Sequence, residues 1–273
     1  MNVASAYDAA AAQYDATLAQ NPVAVWMREC LWKHYTRAFP AHARVLDFTA
    51  GTGADALFLA QRGMQVVASD ISPGMLAELQ RRAANANLEI ETRVLAAEAL
   101  DQFDADAFDA AISSFAGINT TENIPQLARH LARLLKPRGR VILHALNSSC
   151  AWETLNHLAH LRAPRARNTQ TRIGGERVAL HFYHPRVLYQ DAFASEFTLR
   201  EMYALSVLAA PTWLKRAGAL APTLWQMDCA LGRLFPARGD FFVMDLEKRS
   251  LAKTQSPTPF LQRKGSGIFT RRT

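Results

Sequence analysis

From Ala4 to Leu18 the chain is rich in alanine and sets Tyr7 and Tyr14 seven residues apart. Seven residues are two helical turns, so both rings share one face of a leading helix. Val23–Phe39 places Trp26, Cys30, Leu31 and Tyr35 at helical spacing, and Pro40 ends that second helix. Then the period changes. Arg44–Phe48 is a short apolar run entering a glycine-containing turn, and Ala54–Gln61 resumes helical spacing until Gly63 stops it. The unit repeats with strand Gln65–Ser69 and helix Pro73–Ala86, where Pro73 suits the first turn. Strands follow at Leu88–Val94 and Phe108–Ser114, then helix Glu122–Leu135, the breaker cluster Lys136-Pro137-Arg138-Gly139 and strand Arg140–Ala145. Strands alternating with helices at this spacing predict a doubly wound α/β domain, its parallel sheet covered on both faces.

Beyond Asn147 the rhythm breaks. A helix Trp152–Leu161, an arginine-rich segment with Gly174-Gly175 and a strand-like stretch Arg177–Tyr183 read as an inserted lid or substrate region over residues 148–190. Helix Pro185–Ala194, strand Thr198–Ser206, a helical stretch around Leu214–Leu234 and strand Phe241–Glu247 complete the sheet. The pattern therefore assigns residues 1–247 to one domain and 248–273 to a basic, flexible tail.

Composition narrows the class. With 49% hydrophobic and 20% charged residues over 273 positions, a disordered or collagen-like chain is excluded. The formal charge of +7 is a nucleic-acid signal only if it gathers on a face. Lys248–Thr273 holds seven basic residues and no acidic ones, leaving 24 basic against 24 acidic in the body. The tail reads as a solvated extension, with an anionic partner as the alternative. A second cluster, Arg162, Arg165, Arg167, Arg172 and Arg177, is a candidate contact for an acidic substrate. Cys30, Cys150 and Cys229 are odd in number and far apart in sequence, which gives neither a disulfide framework nor a zinc spacing and fits a reducing cytoplasm. The first residues lack the basic and apolar regions of an export signal, and the longest apolar stretch, Met202–Leu214, is broken by Ser206 and Pro211. The expected location is the cytoplasm, with no membrane span.

The sharpest motif is Val45-Leu46-Asp47-Phe48-Thr49-Ala50-Gly51-Thr52-Gly53, followed by Asp70 at the end of the second strand. Glycines let a ligand approach the backbone, the next helix offers free N–H groups, and an acid at a strand's carboxyl edge can accept both hydroxyls of a ribose. Gly51-x-Gly53-x-x-Ala56 with Asp70 also satisfies the loose dinucleotide fingerprint. Asp47 separates the two readings, because a carboxylate four residues before the first glycine can pair with the cationic end of an amino-acid-bearing cofactor.

The runs VLDFTAGTGAD, VVASD, FDAAISSF and LARLLKPRGRVIL resemble, in order and spacing, the successive motifs of class I S-adenosylmethionine (SAM)-dependent methyltransferases over residues 4–147. The resemblance implies a Rossmann-like, mostly parallel seven-stranded sheet with N-terminal helices, and SAM as cofactor. It implies that Gly51, Thr52 and Gly53 line the methionine part, with Asp47, Thr49 and Ala50 in the same loop. Asp70 would bind the ribose, Ile71 and Met75 would flank adenine, and Tyr14 would close over the cofactor. Two positions depart from the family pattern: Thr49 stands where its first loop glycine falls, and Ala96 where an acid often meets the adenine amine. Glu98, or the backbone of Ala97, is the substitute.

Methyl transfer from a sulfonium needs placement and exclusion of water more than covalent help, so a general base is optional. Candidates for one are Asn119, His144 and His181, with Asn147, Tyr183 and His184 nearby in the sequence. His144 in an apolar strand also reads as a core histidine, and Asn119 as a loop residue. Phe115, in the loop Phe115–Asn119, is expected beside the cofactor, and Gly117 leaves room there. Trp152, Phe182 and Tyr183 read equally as an aromatic wall for the acceptor or as core of the insertion. The pairs His157-x-x-His160 and His181-x-x-His184 lack a third ligand in register, so no metal is expected.

The function expected is methyl transfer from SAM to an O, N or C nucleophile of a small-molecule acceptor. A SAM-binding protein without methylation activity and an NAD-dependent oxidoreductase remain as alternatives. A nucleic-acid partner is not expected, since the Asp/Asn-Pro-Pro-Tyr signature for base amines is absent at Ser113-Ser114-Phe115-Ala116. A homodimer is left open.

Overall fold

A computed structural model describes residues 3–159, 169–209, 214 and 217–250. The expectations for Leu161, for Arg162, Arg165 and Arg167, for His160 and for the tail beyond residue 250 lie outside these. Two helices, α1 (Val3–Ala19) and α2 (Pro22–Ala38), precede the sheet; Asn21 caps α2 by accepting from the Val23 N–H. Then come β1 (Arg44–Asp47), α3 (Ala54–Ala60), β2 (Gln65–Asp70), α4 (Pro73–Asn85), β3 (Glu91–Val94), β4 (Phe108–Ser113), α5 (Ile124–Leu134) and β5 (Leu135–Leu146). The insertion brings α6 (Ala151–Ala159) and the hairpin β6 (Thr169–Ile173) and β7 (Glu176–Leu180). The chain closes with α7 (Pro185–Leu188), which runs on as a π turn, β8 (Phe197–Leu205), α8 (Ala221–Leu234) and β9 (Phe241–Lys248).

The main sheet has seven strands in the order β3-β2-β1-β4-β5-β9-β8. The first five run parallel, and β9 lies antiparallel between β5 and β8. Alternate side chains feed two cores, as the period of two requires. Val45, Val66, Ala110, Ile142 and Val243 face α2, α3, α4 and α8, while Leu46, Val67, Ala111, Val141 and Phe242 face α5 and the π turn after α7. Burial on both faces explains why these strands read as continuous apolar runs.

The structure shifts several boundaries, the third strand beginning at Glu91 and the helix before the last strand at Ala221. Helix α5 ends one residue early because Leu135 already pairs with Phe108, and the breaker cluster is an irregularity inside the β4–β5 ladder, with Arg138 in a left-handed conformation (φ 65°). The strand expected at Arg177–Tyr183 is one arm of a hairpin whose other arm, β6, carried too little apolar alternation to be seen.

Helix α8 lies so close to β8 that Gly232 has no room for a side chain. A Cβ on Gly232 would sit 2.0 Å from the carbonyl oxygen of Ala204. Alanine gains up to about 1 kcal/mol of helix propensity over glycine, but forcing a helix off its sheet costs roughly 1–3 kcal/mol. The clash is with backbone, so it wins. Gly232→Ala is expected to lower the melting temperature by roughly 3–6 °C, measured by circular dichroism. A melting temperature at or above that of the parent would show that α8 can move away from β8 without loss.

Candidate functional site

The carboxyl ends of β1, β2 and β4 meet at a cavity of about 290 Å³. Its floor is built by one carboxylate. Asp70, at the end of β2, accepts the Gly51 N–H through Oδ2 at 2.8 Å and the Ser72 N–H through Oδ1 at 2.9 Å. It thereby ties the loop after β1 to the turn after β2. Burial raises its pKa, and the N–H bonds from Ser72 and Gly51 oppose that rise. Asp70 is half-buried rather than freely solvated, so it shapes the loop as well as facing the cavity.

The two loop glycines differ in their surroundings. Gly51 (φ 52°) lines the cavity with nothing within 4 Å of where a Cβ would stand. Gly53 (φ 80°) precedes α3, and a Cβ there would lie 2.3 Å from Leu79 of α4, so packing demands it. Gly53 does not line the cavity; neither do Ala50, whose N–H bonds Ser69, and Thr52, whose hydroxyl donates to Asp15 at 2.8 Å.

Asp47, also behind the lining, is 2% exposed, and its Oδ1 has no partner among the described residues. Burial, then repulsion from Asp55 and Asp70, holds its carboxyl well above the usual carboxylate range. An orphaned acceptor in the core is costly unless a ligand supplies the missing donor. It immediately precedes Phe48 and Thr49, which do line the cavity, and the α-ammonium of an amino-acid-bearing cofactor has the chemistry it lacks.

Thr49 lines the cavity, and its hydroxyl lies 2.6 Å from that of Ser113. The space for its side chain comes from across the cleft, since a Cβ on Gly117 would be 2.2 Å from Thr49 Oγ1. Ile71 and Met75 stand on one side of the cavity, Ala97 and Glu98 on another. Tyr14 lines it from α1, and so does Tyr7, their rings 6.4 Å apart and edge to face. Tyr7 was legible through its seven-residue spacing to Tyr14 but received no role from sequence.

Two carboxylates that sequence reasoning missed fasten α1 over the site. Asp8 accepts from the Ser72 hydroxyl at 2.5 Å and the Gly74 N–H at 2.8 Å. Asp15 accepts from Thr52 and from Arg82, which also donates to the Thr52 carbonyl at 2.9 Å.

Phe115 lines the cavity from the loop after β4, where it and Ala116 both take left-handed conformations (φ 49° and 68°). Such residues persist where surrounding bonds over-determine them. The Phe115 N–H donates to His144 Nδ1 at 3.1 Å and the Ala116 N–H to the His144 carbonyl at 3.2 Å. The Arg28 guanidinium lies 4.3 Å from the Phe115 ring centroid and 3.4 Å from Asp55, which also accepts from Trp32 and Ser114.

None of the three candidate bases lines the cavity. Asn119 is fully buried; its Nδ2 donates to the His181 carbonyl and its Oδ1 accepts the Leu146 N–H, so it splices the insertion to β5. His181 contributes its backbone to that splice, and its side chain is exposed. His144 is fully buried, stacked on Phe241 at 4.6 Å and edge-on to Phe115. Burial, with Arg28 adding repulsion, holds its pKa down to about 3. The ring is neutral, with its proton on Nε2, and it props the Phe115 loop. Among the described residues no group of three or more possible metal ligands occurs.

With this geometry in view, the likeness to known proteins is specific. Residues 45–139 match the family described as methyltransferase domain. Over 145 residues the chain is 37% identical to a demethylmenaquinone methyltransferase of Clavibacter sepedonicus, covering 52% of this chain and 56% of that protein. A protein of the same name from Mycobacterium marinum is 32% identical, with 52% and 58% covered. The chain thus spans little more than half the length of these relatives. Among solved structures, an S-adenosylmethionine-dependent methyltransferase of Mesorhizobium loti superposes with a TM-score of 0.54 at 18% identity, covering 79% of this chain and 96% of its own. The [4+2]-cyclase SpnF superposes with 0.55 at 16% identity, with 81% of each chain covered. Residues 45–139 thus match a methyltransferase domain, and the fold is one shared with solved SAM-dependent methyltransferases.

His144 supplies a pH test. Its folded pKa of about 3 lies below the ordinary 6.5, so the unfolded chain binds the proton first as pH falls. The neutral ring contributes fully above about pH 6.5, and its contribution is lost progressively as pH drops toward 3, a loss on the order of 5 kcal/mol in total. Melting temperatures from pH 7.5 to 4.5 should therefore fall less steeply for His144→Gln than for the parent. Parallel curves would show that His144 is not held neutral by the fold.

Proposed function

We propose that this chain transfers a methyl group from SAM to an O, N or C nucleophile of a small-molecule acceptor. The observation that carries the reading is the buried, unpartnered Asp47 oxygen behind a cavity whose loop and turn are joined by Asp70. Bound SAM supplies a methyl already activated on a sulfonium. The residues of this chain then bind, orient and exclude water. Asp47 would hold the ammonium, Asp70 the ribose hydroxyls, and Ile71, Met75, Ala97 and Glu98 the adenine. Tyr7 and Tyr14 keep their phenolic protons, because burial raises both pKa values, so they act as donors and as a roof and not as bases. With the candidate histidines outside the lining, the chemistry rests on placement within a roofed cavity. The relatives named demethylmenaquinone methyltransferase support a small-molecule acceptor. No helix among the described residues is long and apolar enough to cross a membrane. We keep the cytoplasm as the proposed location, a homodimer as an open arrangement and nucleic acid outside the expected partners.

SAM binding without methylation stays as the second reading, because a chain named as a cyclase shares the fold. Calorimetric titration with SAM and with NADH, followed by assay of S-adenosylhomocysteine release with small phenolic, amine and quinol acceptors, separates these. SAM should bind and NADH should not; tight NADH binding without SAM binding overturns the cofactor assignment. Asp47→Asn is expected to weaken SAM at least about tenfold, or 1.4 kcal/mol, while leaving the melting temperature of the unliganded protein unchanged or higher. Unchanged affinity would remove Asp47 from the site.

A further inference from the structure

A second cavity, of about 450 Å³, lies away from the cofactor site between α2, β8 and α8. Two rungs join the helices across it. Trp26 faces Trp225 with ring centroids 5.8 Å apart, and one turn further along each helix Cys30 faces Cys229 with their sulfurs 3.9 Å apart. The interval is four residues on both helices, so α2 and α8 run side by side in the same sense over this turn and hold the thiols opposite each other. Both cysteines line the cavity and both are half-buried. Of the polar groups beside it, His34 bonds Asp245 through Nε2 at 2.7 Å and meets Tyr203 and Arg37 through Nδ1, while Arg37 pairs with Glu201. The two sulfurs face each other, and the Trp225 ring N–H also reaches Cys30.

We propose that Cys30 and Cys229 are an oxidisable dithiol that closes to an intramolecular disulfide in response to a hydroperoxide. Cys30 is the attacking sulfur. The hydrogen bond from Cys229 holds its thiol below the ordinary pKa, and Lys33, one turn on, acts in the same direction; Cys229 is correspondingly raised. The Cys30 thiolate attacks one peroxide oxygen, forming an S–O bond as the O–O bond breaks, and the leaving oxygen departs as water. Cys229 then attacks the sulfenic sulfur, forming the S–S bond and releasing the second water. Two thiols and one hydrogen peroxide thus give one disulfide and two waters; the sulfurs are oxidised and the peroxide is reduced. The sulfurs must close from 3.9 Å to about 2.05 Å, and the adjoining cavity gives their side chains room to turn. The bond would tie α2 to α8. Two residues before Cys30, Arg28 lies against Phe115 of the cofactor cavity, so one helix carries the dithiol on one face and meets that wall with another.

The test treats the full chain with a small excess of hydrogen peroxide, alkylates remaining thiols and reads intact mass and tryptic peptides. The expected product is a monomer lighter by two hydrogens, reversed by dithiothreitol, with Cys30 and Cys229 peptides linked and Cys150 still alkylated. In Cys229→Ser the two-hydrogen loss should disappear, and Cys30 should instead be trapped by dimedone as a sulfenic acid. A parent chain that only gains oxygen, a linkage through Cys150 or between two molecules, or a two-hydrogen loss retained in Cys229→Ser would each overturn the proposal. The parent measurement decides the question even if the variant does not fold.

Discussion

The bonds from the Gly51 and Ser72 amides to Asp70 are the interaction on which the site depends. Adjacent parallel strands each release their chain at the same edge of the sheet, and nothing in the ladder dictates how the two exits lie relative to one another. A single carboxylate accepting from both makes them one surface. It also leaves backbone N–H groups and an acidic edge arranged before any ligand arrives, so little ordering remains to be done on binding. The raised pKa of Asp70 shows the cost of placing a charge there, and the two N–H donors are what offset it.

The roof follows from that floor. Asp8 and Asp15 are seven residues apart on α1, as Tyr7 and Tyr14 are, so adjacent stripes of the helix carry the fasteners and the rings. Asp8 grips the start of α4 and Asp15 grips Thr52 and Arg82, so α1 is held by the two elements that Asp70 has already positioned. The β6–β7 hairpin adds a third hold, with Ser5 donating to Glu176 at 2.9 Å and Gly174 so near Ala6 that a Cβ would stand 2.2 Å from its carbonyl oxygen. These surface-level bonds are individually weak. Their placement on one helix is what converts them into a cover.

Much of the sheet was legible because each strand is buried on both faces and each helix on one, and those burial patterns are written directly into the hydrophobic period. Val45-Leu46 and Val66-Val67 are readable for this reason, and β6, with its polar Thr169-Gln170-Thr171-Arg172, is not. The cavity lining was legible where a residue type suits a ligand group, as at Asp70 and Gly51. Gly53 carries the same letter for another cause, contact with Leu79, which no local pattern reveals. The family departure at Thr49 becomes intelligible only through Gly117, a partner 68 positions away brought opposite by the pairing of β1 with β4.

The three candidate bases lie outside the cavity lining for a related physical reason. A polar residue after a strand near the ligand edge can serve a ligand or serve the backbone, and the letters are the same. Asn119 has one acceptor and one amide donor group, which suit the carbonyl and N–H that an irregular splice leaves unpaired, and the insertion against β5 is such a splice. His144 meets the same demand from the left-handed Phe115–Ala116 turn, whose first N–H would otherwise be buried without an acceptor. Wherever a loop must depart from regular geometry to face a ligand, its own backbone competes for the nearest polar side chains. The polar groups that escape this competition around the cavity are the phenols of α1 and the unpartnered oxygen of Asp47.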